Sequence, residues 1–180
     1  PGLDTLIDKN TKSGRLKFSN SLKEYISEAQ AIFLAVGTPE RRGDGHADLS
    51  YVYSAVKEIA PLLNKYCLVV TKSTVPVGTS LEIKKIIKTI NKNASFDVVS
   101  NPEFLREGSA IEDFMRPNRV IVGFESEKSK MIMKNIYQPL YLIQTPILFT
   151  DLSSAELIKY ASNAFLATKI SFINQMADLC

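Results

Sequence analysis

Three stretches of this 180-residue sequence carry groups that could do chemistry. The first is "NPEFLREGSAIEDFMRPNRVIVG", Asn101 to Gly123, which places Glu103, Arg106, Glu107, Arg116 and Arg119 directly after the apolar run "FDVVS". A carboxylate beside a reacting centre can take a proton, directly or through water. Glu103 and Glu107 would share one side if a helical turn forms there. The alternative is two solvated carboxylates, with Glu107 paired to a nearby arginine. The second stretch holds Lys159 and Asn163, four residues apart and so on one helix face. Such a pair can be plain solvated surface, or its ammonium can hold an anionic or alkoxide oxygen. The third is a pair of loops, "GTP" after "AIFLAV" and "STVPVGTS" after "CLVVTK". Gly37 lets the backbone approach a ligand closely, and Thr38 offers a hydroxyl. Ser73 and Thr74 sit at a strand-to-helix turn, where free N–H groups and a positive dipole suit an anion. Equally, Ser73, Thr74 or Thr79 could simply cap the helix.

Other polar groups read as structural. His46, the one histidine, lies in the polar, Gly-punctuated stretch Glu40 to Asp48 and reads as a solvated loop residue. Lys84, Lys85 and Lys88 read as a solvated helix face. Cys67 opens an apolar run and reads as core. With Cys180 it makes no disulfide framework, so a reducing cytoplasm is the expected compartment. No metal site is expected.

The elements that must position these residues alternate in type. "AIFLAV", "CLVVTKS", "FDVVS", "RVIVG" and "PILFT" read as strands, with "RLKFSN" (Arg15 to Asn20) as a further candidate. Several are apolar throughout, as parallel strands covered on both faces are. Helical patterns lie between them, at "SLKEYISEA", Leu49 to Asn64, Val77 to Ile90 and Lys128 to Tyr137. The expected fold is therefore α/β: a Rossmann-like, mostly parallel sheet with crossover helices, followed by a long helix. Ligands of such sheets bind outside the carboxyl ends of the strands, where the loops above lie. Ser153 to Cys180 reads as that helix, opened by a Ser153/Glu156 capping box. Leu157, Ala161, Ala164, Phe165, Ile173 and Ala177 are expected on its buried face.

Bulk properties narrow the function. With 45% hydrophobic residues and a net charge of +3, the composition is that of a globular domain. The charge is too balanced to imply nucleic acid or an anionic membrane surface, and no apolar run approaches the roughly 20 residues of a membrane helix. Neither a membrane nor a nucleic-acid partner is expected.

In order and spacing, "AVGTP", "TKSTVPVGT", "NPEFLREGSAIEDFMRPNRVIVG" and "ELIKYASNAFLATKISFINQMADLC" closely resemble the UDP-glucose/GDP-mannose dehydrogenase family, over essentially the whole chain. The wording "EGSAIEDF" is most similar to the branch that acts on UDP-glucose. The resemblance implies oxidation of a C6 alcohol to a carboxylate by two NAD, through a cysteine thioester. It further implies that Val36, Gly37, Thr38, Ser73 and Thr74 contact NAD, with Glu107 beside cofactor and substrate. Glu103 would be the base acting through a water near Thr74, and Lys159 would steady the C6 oxyanion beside Asn163. Phe104, Leu105 and Arg106 would line the sugar-nucleotide site together with Glu107, Lys159 and Asn163.

No G-x-G-x-x-G occurs, and neither Cys67 nor Cys180 matches the family's nucleophile. The sequence accordingly reads as a fragment, without turnover on its own. Residues 1–150 would be an NAD-binding domain lacking its first βαβ and glycine fingerprint. Residues 151–180 would begin a long central helix, leading to a middle domain through which the full protein forms a homodimer. Two alternatives stand: a family member acting on GDP-mannose or a UDP-N-acetylated sugar, and a non-catalytic structural or dimerisation fragment.

Overall fold

A computed structural model describes residues 2–143 and 146–180. Helices α1 (Leu3–Lys12) and α2 (Leu22–Ile26) lead to β1 (Ala31–Leu34), α3 (Ser50–Ile59), β2 (Cys67–Thr71), α4 (Thr79–Ile90) and β3 (Phe96–Ser100). There follow α5 (Ala110–Met115), β4 (Val120–Gly123), α6 (Glu127–Tyr137), β5 (Ile147–Thr150) and α7 (Leu152–Leu179). The five apolar runs all form strands, and they pair in the order β1-β2-β3-β4-β5.

Three of the four pairings are parallel, as expected; β3 with β4 is antiparallel, joined at Ser100 and Gly123. The reversal follows from the connection. Residues 101–119 form no crossover of the kind that joins parallel neighbours, so the chain leaves β3 and re-enters β4 at one edge of the sheet. The carboxyl ends of β1, β2 and β3 therefore share that edge with the amino ends of β4 and β5.

Successive strand residues point to opposite faces. Cys67, Val69, Phe96 and Val98 pack under α3 and α4. Leu68, Val70, Val99, Val120 and Val122 pack against α6 through Met133 and Tyr137. Both faces of the central strands β2, β3 and β4 are covered, which is why they read as unbroken apolar runs, whereas the edge strands β1 and β5 leave Phe33 and Leu148 exposed. Cys67 is core as expected, and burial pushes its thiol up to about 11.

The first turns of α7 pack on β3 and β4. A Cβ at Gly123 would lie 2.7 Å from both the Ala155 Cβ and the Asp151 carbonyl oxygen. Glycine is required there by space, not by backbone conformation.

Three expectations are corrected. The segment "RLKFSN" forms no strand; its start is turned back on α1, with Arg15 and Leu16 N–H both donating to Asn10 O. The Ser153/Glu156 box does not form. Asp151 is the N-cap of α7, and its carboxylate accepts from Ser154 N at 2.9 Å and Ser154 Oγ at 2.6 Å. The expected apolar face of α7 is also not buried: Leu157, Ala161, Ala164, Phe165, Ile173 and Ala177 are all exposed. The face turned to the sheet carries Leu152, Ala155, Glu156 and Lys159, because the close approach at Gly123 admits only small residues and the rest meet polar loops.

Gly123→Ala is expected to destabilise the fold by about 1–3 kcal/mol through overpacking. Denaturant unfolding measures it, with a lowered midpoint and an unchanged slope.

Candidate active site

The loops after β1, β2 and β3 are laced together. Thr38 Oγ1 donates to Thr74 O at 3.0 Å, and Ser73 Oγ donates to Val36 O at 2.5 Å. These bonds fix the two Gly/Thr loops side by side. A Cβ on Gly37 would meet no atom within 4 Å, so the backbone there faces open space.

The third loop is held from beneath by Asn101, which is 1% exposed. Its backbone N–H donates to Thr71 O at 2.9 Å and its Nδ2 to Ile121 O at 2.7 Å. Its Oδ1 accepts from Tyr137 Oη at 2.5 Å and from Lys72 Nζ at 3.4 Å. Two residues further on, Glu103 accepts from Leu105 N–H at 2.5 Å through one oxygen. Its other oxygen meets Lys159 Nζ at 3.3 Å. Lys159, only 7% exposed, comes from α7, 56 positions away in sequence. The Phe104 ring has the Lys159 ammonium 5.2 Å and the Arg119 guanidinium 4.6 Å from its centre, both within cation–π range. A cleft of about 500 Å³ opens here, lined by Lys72, Glu103 to Arg106, Arg119 and Tyr137 among others.

The placement of Lys159 traces to Glu156, one turn earlier on α7. Its buried carboxylate accepts from Gly78 N and Ser80 N, both at 2.7 Å. Those N–H groups open α4 and lack partners within the helix, and a carboxylate suits the positive end of its dipole. The capping reading of this turn does not hold. No side chain of Ser73, Thr74 or Thr79 caps α4, and its N-terminus is taken by the protein's own carboxylate rather than left for a ligand.

Among the other expected site residues, Phe104, Leu105 and Arg106 line the cleft with Glu103. Arg106 is paired with Asp113 at 2.7 Å, which holds that carboxyl below its ordinary range. Asn163 is exposed, one helical turn beyond Lys159. Glu107 does not join Glu103: residues 101–106 are not helical, and Gly108, at φ 80°, turns the chain beyond them. Glu107 is exposed and outside the cleft lining. His46 lies in an exposed loop, as expected. Lysines 84 and 88 are less free than a solvated face implies, since Lys84 pairs with Glu125 at 2.5 Å and Lys88 donates to Ala94 O at 2.8 Å.

Sequence reasoning missed Lys72, Asn101, Tyr137 and Glu156. Lys72 had a signal: a lysine directly after five buried strand residues, at a ligand-binding edge. Burial pushes its ammonium down from 10.5 to about 8, with Lys159 adding to the fall and Glu103 opposing it. Burial also pushes the Tyr137 phenol up to about 12. Among the described residues no cluster of metal-ligating groups occurs, and no helix is long and apolar enough to cross a membrane.

Fold and site together define a Rossmann-type α/β domain with a carboxylate–lysine pair at the carboxyl edge of its parallel strands. Residues 1–141 match the NAD binding domain of the UDP-glucose/GDP-mannose dehydrogenase family, and residues 153–180 match that family's central domain. The chain belongs to the UDP-glucose/GDP-mannose dehydrogenase family. It is 57% identical to a UDP-glucose 6-dehydrogenase of Rhizobium meliloti, an alignment covering all of this chain and 42% of the relative. Among solved structures, a UDP-glucose dehydrogenase from Pyrobaculum islandicum superposes with a TM-score of 0.91 at 41% identity, covering 98% of this chain and 41% of that one. A GDP-mannose dehydrogenase from Pseudomonas aeruginosa reaches the same TM-score at 30% identity, covering 97% and 41%. The chain thus spans about two-fifths of the length of these relatives.

Two outcomes test the site's electrostatics. Glu156→Gln keeps one acceptor but turns an N–H₂ donor toward an N–H; it is expected to lower stability by about 1.5–3 kcal/mol, read by thermal or denaturant unfolding. Lys72→Met is expected to unfold at no lower denaturant at pH 7, because it removes a cation that burial disfavours. The folded pKa of about 8 lies below the ordinary 10.5, so between them the unfolded chain binds more protons and wild-type stability rises with pH. The advantage of Lys72→Met is therefore constant below about pH 8 and shrinks toward 10.5, measurable as paired unfolding curves across that window.

Proposed function

We propose that the whole protein containing these residues oxidises the C6 alcohol of UDP-glucose to a carboxylate with NAD⁺. The observation that carries this reading is the Lys159–Glu103 contact, a cation and a carboxylate brought together at the ligand edge of the sheet. The 57% identity to a UDP-glucose 6-dehydrogenase supports the choice of sugar nucleotide.

The residues present fit a dinucleotide. Gly37 leaves room for close backbone approach, and the hydroxyl-bearing loops flank it. Val36, Gly37 and Thr38, with Ser73 and Thr74, would hold NAD, and Glu107, exposed in the neighbouring loop, would border cofactor and substrate. Bound NAD⁺ supplies a hydride acceptor. Lys159 holds the oxygen that becomes anionic as the alcohol loses its proton, a charge worth most in a site closed to water. Glu103 receives that proton through a water near Thr74. Phe104, Leu105 and Arg106 hold the sugar nucleotide, and Asn163 donates beside Lys159. A second oxidation would proceed through a thioester on a cysteine outside these residues.

In this reading residues 1–150 are the cofactor domain and residues 151–180 begin the helix into the middle domain. The exposed Phe165, Phe172, Ile173 and Met176 on that helix support a homodimer formed through it. The protein would work in the cytoplasm and supply polysaccharide synthesis.

The full-length protein is expected to release two NADH per UDP-glucose and to turn over GDP-mannose and UDP-N-acetylmannosamine far more slowly, by absorbance at equal concentrations. Faster turnover of either competitor would overturn the substrate assignment. The 180-residue chain alone is expected to release no NADH.

A further inference from the structure

Three charged side chains, not two, gather at this end of the sheet: Lys72 and Glu103 line the cleft, and Lys159 pairs with Glu103 from behind. Lys72 follows β2, Glu103 lies in the loop after β3, and Lys159 comes from α7. Lys159 touches the carboxylate directly at 3.3 Å. Lys72 reaches it by another route: its Nζ bonds Asn101 Oδ1, on the residue whose backbone and side chain anchor the loop carrying Glu103. Tyr137 already satisfies the same Oδ1 at 2.5 Å, so the Lys72 bond at 3.4 Å is not needed to keep Asn101 in place. A half-buried lysine that has lost much of its solvation costs the fold stability, and that bond is a small return.

We propose that Lys72 is a positioning residue of the site, a second cation set at the Asn101 anchor of the loop that carries Glu103, which adds positive charge to the Glu103–Lys159 pair for receiving an anionic oxygen. This rests on the roles given above to Glu103 and Lys159. The other charges at the cleft do not supply the same effect. Arg106 is paired with Asp113 and Arg116 with Glu112, and Arg119 lies over the Phe104 ring. Tyr137, the remaining titratable neighbour, stays neutral, its phenol pushed up to about 12. Two ammonium groups against one carboxylate give the surplus. When Lys72 loses its proton, near pH 8, its share of the surplus is lost and the fixed charge of Arg119 remains.

The test uses the full-length enzyme with UDP-glucose and NAD⁺, comparing wild type with Lys72→Arg and Lys72→Met from pH 6 to 10. In the wild type, kcat/KM is expected to fall through a limb near pH 8. Lys72→Arg stays protonated and is expected to lose that limb. Lys72→Met is expected to lower kcat about tenfold or more at pH 7 without changing KM for NAD. Amine labelling of Lys72 across the same pH range reads its titration without reference to activity, with half-reaction expected near pH 8. A limb that persists in Lys72→Arg, a Lys72→Met kcat within about twofold of wild type, or labelling that titrates like a free lysine each overturns the proposal. A wild type that oxidises no sugar nucleotide at all overturns instead the functional reading on which it rests.

Discussion

Glu156 lays a buried carboxylate across the two N–H groups that open α4, and this joint fixes where α7 lies on the sheet. Without it, α4 would begin in the interior with unpaired donors, and α7 would be held by the packing of Leu152 and Ala155 at Gly123 and by the Lys159–Glu103 pair. With it, the next turn of α7 is set in height and rotation. Lys159, three residues on, has one place to go, and that place is the Glu103 carboxylate. One polar interaction thus closes a helix end, docks the long helix and assembles the charged pair.

The sheet supplies the other half of the construction. The chain leaves β3 and re-enters β4 at one edge, so the charged stretch between them stays where the Gly/Thr loops also emerge. Asn101 ties its start to β2 and β4 at once, through Thr71 O and Ile121 O. A loop so anchored can carry Glu103 and Phe104 at fixed positions although the residues beyond them are exposed. Its cost is concentrated in Lys72 and Lys159, two cations kept together in a poorly solvated corner. Such arrangements cluster where chemistry is done.

Much of the fold was legible because both faces of the central strands are covered. Continuous apolar runs gave all five strands, and the loop after β3 marked the edge where the cleft opens. What escaped was whatever depends on partners distant in sequence. Glu156 matched a local S-x-x-E pattern, yet Asp151 captured the cap and freed Glu156 to reach α4. The apolar periodicity of α7 predicted burial, but only its first turns touch the sheet, and the stripe of Leu157 and Phe165 faces away from it. Helix α5 was not among the expected helices, being short and charged. Glu107 looked equivalent to Glu103 by spacing alone; Gly108 turned the chain before a helix could form. Lys72 carried one local signal, its place directly after five buried strand residues, while nothing local marked Asn101 as the anchor of the loop.

The central claim is that Glu103 and Lys159 act as one unit, aligned by the docking of α7. A double-mutant cycle on kcat/KM of the full-length enzyme tests it most directly, using Glu103→Gln, Lys159→Met and the two together. If the pair is a unit, each single change costs nearly as much as both, and the effects fall far short of additive. If the logarithms of the two losses simply add, the residues work independently and the account is contradicted.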